Sequence, residues 1–205
     1  MALTKKNSTD LNHKGDNDTS FNDLKAQLYD QDVSVRRRSA KYIACYDGAA
    51  RVLFHALEKE YKQEVIDAIF SALEAIVNDE VVQGLILVLR SENAAKRNKA
   101  IQVLQTMPDF VALYIIDLLN DNDSDVRLFA LDILQVLPHS DTPKWLLSVL
   151  KEETHVNVIA SAIDRLAEVG TLDMMDEIMS LKKRFPNEYY LCFAIDTALI
   201  RIQGH

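Results

Sequence analysis

The sequence predicts an all-α protein, a right-handed α-solenoid of about six helical hairpins, and three observations carry that expectation. The first is a five-letter pattern of small, apolar, polar, any and apolar residues that recurs along the chain. Its copies are Ser39–Ile43, Ala72–Ile76, Ala100–Leu104, Ala130–Leu134, Ala162–Leu166 and Ala194–Ala198. The second is their spacing: successive copies start roughly 28 to 33 residues apart, and a fixed period of that size marks stacked supersecondary units. The third is composition. Five glycines and four prolines among 205 residues are too few for a turn-rich β-protein and agree with a helical chain.

Each element follows from local signals. Residues 1–20 are rich in Lys, Asn, Asp, Ser and Thr and are expected to form a disordered polar tail. Residues 21–205 are expected to be one repeat domain, with units at about 21–49, 50–79, 80–109, 110–140, 141–170 and 171–203. Ser20 is an N-cap candidate with Asp23 in the first turn. Unit one then places Leu24 and Leu28 before the turn Asp30-Gln31-Asp32, and Val35, Ser39 and Ile43 after it. Unit two is the least regular, because its turn near Glu60–Gln63 lacks Asp and Asn. Unit three has Val81, Leu85, Val88 and Leu89, then Ala100, Ile101 and Leu104.

Unit four shows the plan most clearly. Asp109 is expected to cap a first helix whose apolar face is Val111, Ile115, Leu118 and Leu119. Asp121-Asn122-Asp123-Ser124 makes the turn, since Asn and Asp favour turns and caps over helix interiors. Val126, Ala130, Ile133, Leu134 and Leu137 then share one face at helical spacing, and Pro138 stops the helix. Unit five opens with Asp141 or Thr142 as cap and Pro143 in the first turn. Gly170 is expected to end its second helix in left-handed geometry. Trp145 is expected to pack between units four and five. The last helix carries Phe193, Ile195, Leu199, Ile200 and Ile202, apolar on more than one side. That end is therefore a candidate docking or homodimer surface.

A second signature accompanies the period. Val35-Arg36 and Val126-Arg127 each follow an aspartate, Asp32 and Asp123, and Lys96-Arg97 keeps the arginine in unit three. With these residues the sequence resembles the HEAT-like repeat family, in the short form of about 30 residues also seen in phycobilisome-lyase-type proteins. The resemblance covers residues 21–203. It implies an armadillo/HEAT-type fold, second helices lining a concave surface, and a structural ladder of Asp32, Arg36, Arg97, Asp123 and Arg127. Ile159 takes the arginine place in unit five, so the ladder is expected to be incomplete there.

The third letter of the repeated pattern marks the face left over. With Val126 at zero and about 100° per residue, the core positions cluster near 30° while Asp132 falls near 240°, beside Leu128 and Gln135. Along the units this letter reads Lys41, Glu74, Gln102, Asp132, Asp164 and Asp196. One turn earlier stand Arg37, Phe70, Asn98, Leu128, Ala160 and Cys192. The stripe is basic at its N-terminal end and acidic at its C-terminal end. A polar residue opposite the core solvates any amphipathic helix, whereas Asp is a poor residue for a helix interior, so its recurrence at one facing reads either as solvation or as the rim of a groove for a partner. The expected partner-binding residues are Glu74, Gln102, Asp132, Asp164 and Asp196, with Phe70 and Leu128 as apolar floor.

Other function classes find less support. A formal net charge of −8 and a pI near 5.1 argue against a nucleic-acid binder, although Arg36–Arg38 is a local basic run. His13, His55, His139, His155 and His205 show no metal-ligand spacing. No phosphate-binding glycine loop or nucleophile motif appears, so no cofactor, metal or catalytic residue is expected. Cys45 and Cys192 form no ligand pair and read as reduced thiols. Without a signal peptide or a long apolar run, a soluble cytoplasmic protein is expected. The function expected is a non-catalytic scaffold or adaptor binding a basic or amphipathic protein segment. The alternative is a subunit or chaperone-like component of a modifying enzyme of the lyase type.

Overall fold

The computed structural model describes residues 19–137 and 139–204. The expected tail up to residue 18, the helix stop at Pro138, and His13 and His205 lie outside the described residues. The chain forms α1 (Phe21–Gln27), α2 (Val33–Ile43), α3 (Ala49–Lys59), α4 (Gln63–Ala75), α5 (Asp79–Val88) and α6 (Ala94–Gln105). It continues through α7 (Pro108–Val111), α8 (Ile115–Leu119), α9 (Ser124–Leu134), α10 (Thr142–Glu152) and α11 (Val156–Val169). A 3₁₀ turn at Leu172–Met174 leads into α12 (Met175–Arg184), and α13 (Tyr189–Gln203) follows. Among the described residues there is no β-strand.

Consecutive helices pair as α1/α2, α3/α4, α5/α6, α8/α9, α10/α11 and α12/α13. The second members stack in series: α2 on α4, α4 on α6, α6 on α9, α9 on α11 and α11 on α13. The repeated pattern explains this layer. Its small letters, Ser39, Ala72, Ala100, Ala130, Ala162 and Ala194, are all buried, and a short side chain lets neighbouring helices approach closely. Its second letters, Ala40, Leu73, Ile101, Leu131, Ile163 and Ile195, are buried beside them. Together with the first helices' apolar faces they form one core cluster running from Leu24 to Ile202.

Three local expectations need correction. The first helix of unit four is broken into α7 and α8, with 3₁₀-type bonds from the Leu113 and Tyr114 amides to the Phe110 and Val111 carbonyls between them. Its apolar face is nonetheless buried as expected, at Val111, Ile115, Leu118 and Leu119. Met107 is the N-cap of α7, with Pro108 in the first turn, so Asp109 lies inside the helix start rather than capping it. Gly170 is extended at φ −71°, not left-handed. Its need for glycine is steric: an added Cβ would lie 2.5 Å from the Leu166 carbonyl oxygen and 2.9 Å from Ile202 Cδ1. Among the described residues the left-handed glycine is Gly48, at φ 76°, entering α3.

The ladder exists, with different carboxylates from those expected. Asp32 and Asp123 are N-caps, accepting from the backbone N–H of Ser34 at 2.7 Å and of Asp125 at 2.9 Å. The arginines instead reach the next hairpin. Arg36 Nε donates to Glu60 Oε2 at 2.7 Å and Nη2 to Glu60 Oε1 at 3.2 Å. Arg127 repeats the fork on Glu153, at 2.6 and 3.0 Å. Each Nη1 also holds the chain leaving the first helix: Arg36 donates to the Asp30 carbonyl, Arg97 to Ser91 and Arg127 to Asp121, at 2.9, 2.6 and 2.7 Å. These acceptors lie in the turn just past the helix, where the backbone carbonyls have no helical partner and a cation is favourable.

Counted four residues from the helix N-cap, units two and five lack the arginine, with buried Ile66 and Ile159 in its place. Their first helices are served from the following unit. Lys96 donates to the Leu57 carbonyl at the end of α3, and Arg184 to the Leu150 and Glu153 carbonyls at the end of α10. The turn residues themselves form a matching row. Asp30, Glu60, Ser91, Asp121 and Glu153 each accept from the backbone N–H two residues on, between 2.8 and 3.2 Å.

Lys96 is buried and makes no ion pair with a carboxylate among the described residues. Lys96→Met is expected to leave the α3 carbonyls unpaired and cost about 1–3 kcal/mol in urea unfolding. Arg90→Ala, which removes the half-exposed pair with Asp121, is expected to cost at most about 1 kcal/mol.

The buried pairs set an acid limit. Burial alone would raise the Glu153 carboxyl, but hydrogen bonds from Arg127 and the His155 and Thr154 amides outweigh it and hold the group below its ordinary 4.5. Glu60 is held down the same way, against burial, by Arg36 and the Lys62 and Tyr61 amides. A depressed folded-state pKa stabilises the fold above the ordinary value and ceases to as pH falls through the folded one. Glu153→Gln is therefore expected to be less stable than the parent at neutral pH. The gap should close below pH 4.5 in unfolding curves taken from pH 7 to 3.

Candidate binding face

All six third letters of the repeated pattern, Lys41, Glu74, Gln102, Asp132, Asp164 and Asp196, are exposed. The residues one turn earlier divide. Arg37 and Asn98 are exposed, Leu128 and Cys192 are half-buried, and Phe70 and Ala160 are in the core. Phe70, at 2% exposure, is therefore no part of an apolar floor. Its ring fills the space between stacked helices, where burying a phenyl group stabilises more than exposing it. Leu128 packs partly against the core and keeps only an edge at the surface.

The acidic residues are not equivalent. Asp132 on α9 and Asp164 on α11 line one narrow cleft of about 90 Å³ with Leu131, Gln135, Ser161, Arg165 and Glu168. Asp132 counts among the exposed residues, yet its carboxyl faces this crevice. Loss of surrounding water holds its pKa above the ordinary aspartate value. Neither Asp132 nor Asp164 has an ion-pair partner among the described residues, whereas Asp196 pairs with Lys182 of α12. Arg165 turns to Glu168 one turn along its own helix, and its buried Nε has no hydrogen-bond partner. Glu74 and Gln102 stand apart from the cleft, on α4 and α6. The structure thus joins Asp132 and Asp164 and separates the other expected contacts from them. Gln105 Nε2, donating to the Asp132 backbone carbonyl at 2.8 Å, ties α6 to the cleft wall.

Arg165 and Glu168 escaped the sequence reading because neither occupies the third letter. Spacing was the available signal: Asp164 and Glu168 lie four residues apart on one helix face. A larger cavity, about 670 Å³, lies between α3 and α5 and was also missed. Phe54, Leu87 and Val88 give it apolar walls, and Arg51, Glu80 and Arg90 are on its lining. Gly84 was its sign in the sequence. A Cβ there would meet the Phe54 ring at 2.2 Å, so only glycine admits that ring against α5.

The basic runs are partly consumed by structure. Arg36 is buried on Glu60 while Arg37 and Arg38 stay exposed. Lys182 is on Asp196 and Arg184 on carbonyls of α10 and the turn after it. Trp145 is half-buried and stacks on His139 with ring centres 4.4 Å apart. His55 lies 3.5 Å from Glu58. Among the described residues no group of three or more His, Cys, Asp or Glu side chains is placed to hold a metal ion. No described helix is long and apolar enough to cross a membrane.

No family model and no curated protein matches the chain. Solved structures give weak likenesses. Two engineered proteins from a structural genomics consortium align at 18% and 17% identity, with TM-scores of 0.42 and 0.41. Each alignment covers 90% of this chain, and 96% and 99% of the respective neighbour. The complex of CpcE and CpcF of phycocyanin lyase from Nostoc sp. PCC7120 aligns at 16% identity and TM-score 0.39, over 98% of both chains. Scores this low do not establish a shared fold, and the description of this chain rests on its own helix packing.

Proposed function

We propose that the chain is a HEAT-like, right-handed solenoid of six hairpins that works as a non-catalytic protein-binding scaffold. In this reading the stacked second helices line a concave face, and its acidic C-terminal half takes a basic or amphipathic protein segment. The observation that carries the proposal is the Asp132–Asp164 cleft. Two carboxylates without ion-pair partners among the described residues converge from neighbouring helices, one already short of water. A lysine or arginine entering there gains a charge-assisted hydrogen bond and removes the cost of a desolvated, unpaired carboxylate. Glu74 carries the same sign of charge elsewhere on the surface and steers encounter more than it holds, while the charge of Asp196 is met by Lys182. The exposed free thiol of Cys45 suits a reducing compartment, and the cytoplasm is the proposed location.

A second reading, a subunit or chaperone-like component of a modifying enzyme, draws on the cavity between α3 and α5, whose volume suits a small ligand. Copurification of a small molecule lost on Gly84→Leu would favour it.

The primary proposal is tested with a fluorescent peptide carrying four lysines, titrated by anisotropy. Asp132→Lys with Asp164→Lys is expected to weaken binding by about tenfold or more and flatten its salt dependence. Because an incoming cation lowers the raised pKa of Asp132, binding to the parent chain should also tighten as pH rises from 4 to 7. Binding unchanged by the double substitution would refute the assignment.

A further inference from the structure

Helix α13 has two apolar faces. Leu191, Ala194, Ile195, Ala198, Leu199 and Ile202 are buried, with the helix packed on α11 and α12. On nearly the opposite side Tyr190, Phe193 and Ile200 are 69%, 70% and 70% exposed. Thr197 lies between them, and its hydroxyl donates to the Phe193 carbonyl at 3.0 Å, which satisfies its polar atom within the helix. The series 190, 193, 197, 200 has the alternating three- and four-residue steps of a coiled-coil seam. Tyr189, 84% exposed, flanks it. Exposed apolar side chains scattered singly need no explanation, but an ordered stripe of this kind marks an interface.

We infer that this seam is a self-association surface, on which α13 of a second copy of this chain packs antiparallel about a two-fold axis. The pattern is self-complementary. Antiparallel pairing about the middle of the stripe sets Tyr190 against Ile200 and Phe193 against Thr197 of the other copy, twice over, as an isologous contact requires. The charges agree. Glu188 stands at the start of α13 and Arg201 in its last turn, both exposed and without ion pairs among the described residues. Antiparallel packing brings the Arg201 end of one helix to the Glu188 end of the other, and parallel packing does not. Asp196, near the axis, is neutralised by Lys182 of its own chain.

The seam spans about three helical turns, roughly 15 Å, so the interface is small and the dimer weak, in the micromolar range. Its consequence rests on the function proposed above: a dimer carries two acidic clefts, and a partner with two basic segments gains avidity from both.

Sedimentation equilibrium of the full chain at about 5 to 200 μM tests the inference. A monomer–dimer equilibrium is expected, and Phe193→Glu should raise its dissociation constant at least about tenfold while helix content stays that of the parent. Arg201→Glu should weaken the dimer, and adding Glu188→Arg should restore it. A monomer at every concentration, or a dimer indifferent to Phe193→Glu, overturns the inference. The four-lysine peptide separates this from the cleft assignment, since Phe193→Glu should bind that peptide as the parent does.

Discussion

The carbonyls in the last turn of a first helix, or in the turn just past it, must find donors outside the helix. Leaving such a carbonyl buried and unpaired costs about 1–3 kcal/mol, and the chain answers with cations. Arg36, Arg97 and Arg127 serve their own hairpins, whereas Lys96 and Arg184 reach back to serve the preceding ones. Each cation then needs compensation of its own. Arg36 and Arg127 find a carboxylate in the next turn, at Glu60 and Glu153, and those carboxylates also cap the amides that follow. Where the arginine gives way to Ile66, the next turn carries neutral Ser91. No carboxylate is thereby left without a cation in that turn, and the buried ammonium of Lys96 at the same junction is held by the Leu57 carbonyl instead of an ion pair. Arg97 follows another route, with its guanidinium 5.6 Å from the Phe129 ring centre, while Arg90 takes Asp121.

This arrangement shapes what the surface can offer. Arg36 and Arg184 are committed to holding hairpins together, and Lys182 to Asp196. On the stripe itself the exposed basic residues are Arg37 and Lys41, near its N-terminal end, with Arg38 beside them. At the C-terminal end Asp132 and Asp164 have no ion-pair partner among the described residues. The asymmetry of the stripe lies in its own letters, from Lys41 to Asp132 and Asp164. Charge separation of this kind selects for an oppositely charged partner through encounter rate and register more than through net affinity.

Much of the fold was legible because the repeated pattern names burial directly. Each small letter is buried and each third letter exposed, in every copy from Ser39–Ile43 to Ala194–Ala198. The helix start at Ser20 and the turns at Asp32 and Asp123 were legible for an equally local reason, since their side chains bind the first amides. The carboxylates of the ladder were not, because Asp32 lies beside Arg36 in sequence while Glu60 meets it only after a whole hairpin has folded back. Phe70 failed for a different reason. Counted from the N-cap Lys62, Phe70 stands eight residues in, the core place that Ala40, Ile101 and Leu131 fill after Asp32, Asn93 and Asp123, so the expected register of unit two was three residues off. The break between α7 and α8 left no mark in hydrophobic spacing, since its apolar face is the one an unbroken helix would bury. Of the candidate site, Asp132 and Asp164 were legible from the period, and Arg165 and Glu168 required knowing how closely α9 and α11 approach.

The central claim is that charged side chains couple one hairpin to the next. A double-mutant cycle on Arg127→Met and Glu153→Leu, read by urea unfolding at neutral pH, measures that coupling. Each single change is expected to cost about 3–5 kcal/mol by stranding a buried charge, and the double change much less than their sum. Costs that simply add would contradict the account, because the two side chains would then act independently.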